Sequence, residues 1–326
     1  MRALLFIRKK LVWFIPFAML LGLTAGYFLN VSVLKSLILP LTILMIYPMM
    51  VTLNFRSIFS GCNYRLEAVT QSINFVAIPL VAFLLGKLFF PQQPLTALGL
   101  FLIALLPTSG MTISWTGFAK GNVQVAIKMT LIGLVLGALA TPLYITLFMG
   151  ANVSISAGKT LQQILIVVFS PMLLGYITQT LLLKRYGQDF FKEKIKPVFP
   201  SVATLAVLGI IFTAMALKAK AIIQNPETIL RMILPLILFY AVNFLISTLI
   251  GKWLFKREEA IALVYGSVMR NLSVALAIAM VAFGQEGLEI ALIIAVAYVI
   301  QVQSAAAYLQ LVDRFFGKVN LSKNGN

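Results

Sequence analysis

The chain has 326 residues, 61% of them hydrophobic and only 11% charged, with a mean hydropathy of +1.00 and a formal charge of +17. That composition excludes an ordinary soluble domain and makes lipid the expected solvent. Histidine is absent and Cys62 is the only cysteine, so an intramolecular disulfide and a thiolate metal cage are excluded and acid–base machinery is scarce. An enzyme is not expected, nor a cofactor or metal. A nucleic-acid partner would need a basic face on a soluble module, whereas here the bases lie between apolar stretches; no nucleic-acid binding is expected.

The first ten residues carry Arg2, Arg8, Lys9 and Lys10 ahead of an apolar run. No small-residue cleavage site follows, so the run reads as a retained helix rather than a signal peptide. Apolar windows then recur near 11–29, 33–53, 68–89, 95–119, 123–148, 160–183, 200–219, 228–252, 259–283 and 287–312. Each is about 20 residues, enough to cross a hydrocarbon core roughly 30 Å thick. The longest polar break, Lys184 to Pro197, is too short for a soluble domain. The expectation is one polytopic domain over 1–326. Cys62 falls in a loop between the second and third windows.

An orientation with the N-terminus inside places 18 of the 26 basic residues on the cytoplasmic side and six outside, with Lys128 and Arg270 within spans. That bias predicts both termini in the cytoplasm, in a cell membrane. Five spans in each half, about 11–150 and 158–313, predict inverted repeats, since five is odd. Leu84-Leu85-Gly86-Lys87 and Leu249-Ile250-Gly251-Lys252 echo each other at an offset of 165 residues, which pairs Thr108 with Ser273. Such endings are also common at helix termini, and chance stays an open reading.

Several spans carry irregularities. Tyr47-Pro48 in span two reads as a kink. Asn74 in span three and Asn243 in span eight are lone amides, able to join helices or to line a site. Phe89-Phe90 reads as an interface anchor, and Lys128, in the second turn of span five, as a snorkelling cation. Span four contains Pro107, Thr108, Ser109, Gly110, Thr112, Ser114 and Thr116 within an otherwise apolar helix. Proline removes an amide donor and clashes with the preceding turn, and a break at that depth needs protein or a wet cavity around it. Span nine contains Arg270, Asn271 and Ser273. An arginine at mid-membrane costs at least about 2.5 kcal/mol. The nine acids all fall in loops or at span ends, so its partner is either the carbonyls of a broken helix, water or an anionic solute. Capping a half-helix and binding a solute both remain open for Arg270.

The order of these features resembles the superfamily of bile acid:sodium symporters and arsenite permeases. The resemblance covers most of the chain: ten spans, a proline-led break followed by Ala119-Lys120-Gly121-Asn122-Val123, and Arg270-Asn271 followed by Val274-Ala275-Leu276-Ala277-Ile278-Ala279. Met45-Ile46-Tyr47-Pro48-Met49-Met50 looks most like the arsenite branch. The resemblance implies an all-α integral membrane fold of ten helices in two inverted five-helix repeats. Helices four and nine would cross at their breaks in a core that moves against a panel.

Departures from the family pattern bear on mechanism. The sodium-ligating Ser and Asn of span four would fall on Thr112 and Ile113, and the Glu and Gln of span nine on Gly266 and Arg270; Asn74 keeps the amide of span three. The cysteine and glutamate of the arsenite branch fall on Thr108 and Ser273. The reading is therefore a secondary active transporter of a small anion or oxo-solute. Pro107, Thr108, Ser109, Gly110, Thr112, Ser114, Asn74, Asn271 and Ser273 form its site, and Arg270 stands in for the sodium charge. The alternative is arsenite efflux or sodium-coupled organic-anion symport. A channel would need a continuous polar pore. Expected partners are the solute and membrane lipid; the coupling ion (proton, sodium or none) and the oligomeric state stay open.

Overall fold

The computed structural model of the chain describes residues 11–53, 63–149, 162 and 165–317; Cys62 lies outside these. The described residues form helices joined by short turns: α1 Leu11–Phe28, α2 Leu34–Val51, α3 Tyr64–Phe89, α4 Pro94–Leu105, α5 Gly110–Phe118, α6 Val123–Met149, α7 Ser170–Tyr186, α8 Val198–Gln224, α9 Glu227–Leu254, α10 Arg257–Val268, α11 Leu272–Ala282 and α12 Gly287–Phe316. Six continuous helical stretches among the described residues are long and apolar enough to cross a membrane, and Trp13–Phe28, Pro94–Leu105 and Leu272–Ala282 are shorter apolar helices. The chain is a multi-pass α-helical membrane protein.

The expected window 95–119 is two helices, α4 and α5, and the window 259–283 is α10 and α11. At 1.5 Å per residue the 12 residues of α4 span about 18 Å, short of the roughly 30 Å core. Three of these four half-helices, α4, α10 and α11, are mostly buried, whereas α5 buries only Thr112 and Thr116. Every residue of α4 from Thr96 to Leu105 is buried, as is every residue of α10 from Ala260 to Val268. A helix apolar on all sides belongs inside protein, where a break in its hydrogen bonding is shielded from lipid.

Two groups of helices pack internally. α8 lies against α1 and α2, with α7 against α2, while α3, α4, α9, α10, α11 and α12 contact one another and α6 packs on α4, α5 and α10. Small residues set the closest approach in the first group. A Cβ added at Gly22 would lie 2.6 Å from Phe212 O, and one at Gly26 2.0 Å from Ala216 O, the spacing that lets two membrane helices touch backbone to backbone. Gly26→Val is therefore expected to lower stability by about 1–3 kcal/mol through overpacking. It should appear as a lower unfolding midpoint in detergent, while Thr24→Val on the exposed face leaves the midpoint unchanged.

Span three starts earlier than its apolar window. Asn63 caps α3, its side chain accepting from Leu66 N at 3.2 Å, and Glu67 sits in the first turn. Glu67 thus stands at the end of the span, in its first turn. One expectation is corrected: Lys128 is buried with its charge close enough to interact with Glu67, not snorkelling to an interface. Phe90, expected as an anchor, is buried at the start of the turn to α4. Midway along α3 a π turn, Ile73–Ala77, interrupts the α pattern. Pro79 has no amide to offer the Phe75 carbonyl, and the Tyr144 hydroxyl of α6 donates to that carbonyl instead. The wider turn contains Asn74.

Candidate functional site

The two breaks lie against each other. Pro107 and Arg270 pair as an antiparallel bridge, and Asn271 N donates to Leu106 O at 2.7 Å. Thr108 and Ser273, paired by the sequence offset, stand at different points: Thr108 is inside the first break, whereas Ser273 is already in α11.

A broken helix exposes four amides at one end and four carbonyls at the other, and at this depth each needs a partner. At the start of α5, Ser109 is the N-cap. Its hydroxyl accepts from Met111 N at 3.2 Å, and Thr112 Oγ1 accepts from Ser109 N at 3.0 Å. At the start of α11, Asn271 Oδ1 accepts from Val274 N at 3.2 Å. At the end of α10, Asn74 Nδ2 of α3 donates to Gly266 O at 3.2 Å, and Asn243 Nδ2 of α9 donates to Ser267 O at 3.0 Å. The two lone amides of the sequence thus meet at one helix end. At the end of α4, Arg270 supplies the donor, its guanidinium NH1 reaching Ala104 O at 3.1 Å.

Thr108 joins the half-helices at φ 61°. This left-handed conformation costs a residue other than glycine roughly 1–2 kcal/mol. Its one hydroxyl proton is shared between Pro107 O at 2.7 Å and Thr130 O of α6 at 3.2 Å. α6 approaches there through two glycines: a Cβ at Gly133 would lie 2.6 Å from Thr108 Oγ1, and one at Gly137 2.9 Å from Leu105 O.

Two residues that the sequence did not single out complete the second break. Gln301 of α12 is fully buried and treats Arg270 as a strand neighbour would. Its Oε1 accepts from Arg270 N at 2.8 Å, and its Nε2 donates to Arg270 O at 3.3 Å. Tyr240 of α9 donates to the same Oε1 at 2.9 Å. A glutamine in the apolar part of a long helix was the available signal, and Gln303 and Gln310 of the same helix share it.

Arg270 is the largest fully buried side chain described. Among the described residues, Nε and NH2 have no hydrogen-bond partner and no carboxylate pairs with it. The negative ends of the α4 and α10 dipoles and the positive ends of α5 and α11 converge on the same place. The other predicted residues divide by exposure. Pro107, Thr108, Ser109, Thr112, Asn74 and Asn271 are buried and hold the breaks, whereas Gly110 is exposed and Ser114 and Ser273 are partly so. Ser114 Oγ donates to Gly110 O at 3.4 Å, and Ser273 Oγ lies 2.7 Å from Tyr298 Oη. A Cβ on Gly110 would face only the Met49 methyl of α2, at 3.9 Å.

Paired broken helices, buried inside a multi-pass helical protein and capped from four neighbours, are the architecture of a membrane transporter. The sequence model of the Sodium Bile acid symporter family matches residues 39–225, more than half of the chain, and the chain belongs to that family, one of transporters rather than enzymes. The matched range ends before the second break. The chain is 27% identical over 273 residues to the uncharacterised protein YbaS of Bacillus subtilis, covering 83% of this chain and 86% of that one. It is 23% identical to the arsenical-resistance protein Acr3 of Corynebacterium glutamicum, covering 73% and 71%. It is 25% identical to the sodium/bile acid cotransporter 7-A of Xenopus laevis, covering 71% and 72%.

Proposed function

We propose that this chain is a secondary active transporter of a small anion, bound at the crossing of the two breaks and moved by alternating access without a sodium ion. The observation that carries the reading is the buried Arg270 guanidinium with two unpartnered donors and no carboxylate. Buried charge is stable only when paired, and an anionic solute supplies the missing partner. Gly110, Ser114 and Ser273 form the accessible rim, and the buried hydroxyls and amides hold the half-helices in place. The reading includes ten spans in two inverted repeats, a core of α3–α6 and α9–α12 moving against a panel of α1, α2, α7 and α8, and both termini in the cytoplasm of a cell membrane.

The residues do not fit a sodium ion. Thr112 Oγ1 already accepts from Ser109 N, the Ile113 side chain has no ligand atom, and Gly266 O faces the Asn74 amide donor. A hard cation needs several oxygens facing it, with carboxylate among them as a rule. Uptake of organic anions into proteoliposomes is expected to persist when sodium is replaced by potassium on both sides; strict dependence on sodium would overturn the sodium-free reading. The similarity to Acr3 favours a second solute, arsenite. Stabilisation of the purified protein by arsenite and not by organic anions in a thermal-shift series would select it.

A further inference from the structure

The end of α3 carries two distinct faces. Val76, Leu80, Leu84 and Leu88, one turn apart, are all exposed, the stripe expected toward lipid chains. The neighbouring face, with Ala82, Phe83 and Gly86, lines a cavity of about 480 Å³ closed by Ala97 and Phe101 of α4. Cavities of roughly 300–1,000 Å³ accommodate ligands of some tens of atoms, ample for part of an acyl chain. Lys87 lies between the two faces at 100° per residue, and its Nζ sits 4.5 Å from the Phe83 ring centroid, at the cavity wall. Lys87 is exposed, no acid lines the cavity, and the lining shares no residue with the two breaks.

We propose that this cavity binds one anionic phospholipid, with an acyl chain against the apolar wall and the phosphate on Lys87. Position argues for lipid over a free anion. The cavity borders the lipid-facing stripe at the last turn of a membrane helix, the depth at which phosphates lie and lysines extend toward them. A soluble anion would gain the charge and leave the apolar wall unused. One lysine near a membrane surface favours an anionic headgroup by a factor of about five.

Native mass spectrometry of the purified full chain, titrated with phosphatidylglycerol and phosphatidylcholine, tests this. One phosphatidylglycerol retained with about a fivefold preference is expected. Lys87→Glu should erase the preference and Lys87→Arg should keep it, while sn-glycerol 3-phosphate, which lacks chains, should not compete. Equal retention of the two lipids by the unmodified chain, or an unchanged preference in Lys87→Glu, would overturn the proposal. Displacement by glycerol 3-phosphate would assign the cavity to a free phosphate and overturn it equally.

Discussion

Arg270→Met is expected to abolish anion uptake, by at least about 100-fold, in a protein that is no less stable than the unmodified chain. The two effects have separate origins. Removing the guanidinium leaves Ala104 O without its donor, and an unpartnered buried carbonyl costs about 1–3 kcal/mol. Against that, the substitution removes a mid-membrane charge whose burial costs at least about 2.5 kcal/mol. Replacing buried charges by apolar side chains of similar volume is often neutral or stabilising. The loss of uptake has no such offset, because charge-assisted hydrogen bonds contribute about 1.5–3 kcal/mol each and methionine supplies none.

The contrast separates the two roles left open for this residue. A guanidinium that only caps α4 would give the same stability for Arg270→Met and leave uptake of anions intact. Arg270→Lys sharpens the comparison, since it keeps the charge and loses the planar fork. Uptake reduced by roughly tenfold, with the sodium independence preserved, is the expected result for a residue that both caps and binds. Proteoliposome uptake and the unfolding midpoint, measured on the same preparations, read both quantities.

How far the site was legible in the sequence depends on whether each feature leaves a local trace. The first break announces itself, because Pro107 is incompatible with a continuing helix and the hydroxyls that follow are cap residues. The second has no proline; Met269, Arg270 and Asn271 end α10 with side chains that a helix tolerates, and only the charge of Arg270 marked the place. Gln301 and Tyr240 left little trace, since their role is to satisfy a backbone made irregular elsewhere in the chain. Gly133 and Gly137 read as ordinary membrane glycines until the break is set against them. The start of α3 was misplaced because a capped, charged first turn is indistinguishable from a loop by hydropathy, although Asn63 is a recognised cap type. The buried setting of Lys128 left no local trace, because Glu67, the charge near it, belongs to another helix. Composition and span length, by contrast, sufficed for the membrane class, because each window answers to the bilayer alone.

Gly133→Ala is expected to lower stability by about 1–3 kcal/mol and to reduce uptake at least tenfold, because its methyl meets the first break rather than empty space. The added Cβ would sit 2.6 Å from Thr108 Oγ1, 3.3 Å from Thr108 Cγ2 and 3.4 Å from Pro107 Cγ. Thr108 has little room to yield, held at φ 61° with its hydroxyl proton shared between two carbonyls and its neighbour Pro107 bridged to Arg270. Thr108→Gly removes both threonine atoms and places at φ 61° a residue that adopts it without strain. By itself it should be nearly neutral for stability, since relief of roughly 1–2 kcal/mol of strain is set against a lost hydrogen bond of about 1 kcal/mol. The double variant Gly133→Ala/Thr108→Gly should then recover most of the lost stability, a coupling of about 0.5–3 kcal/mol between neighbours. Strictly additive effects would mean that α6 moves aside to admit the methyl, and that the break is not pinned between α6 and α10. Recovery of stability without recovery of uptake would assign the Thr108 side chain a part in transport beyond holding the turn.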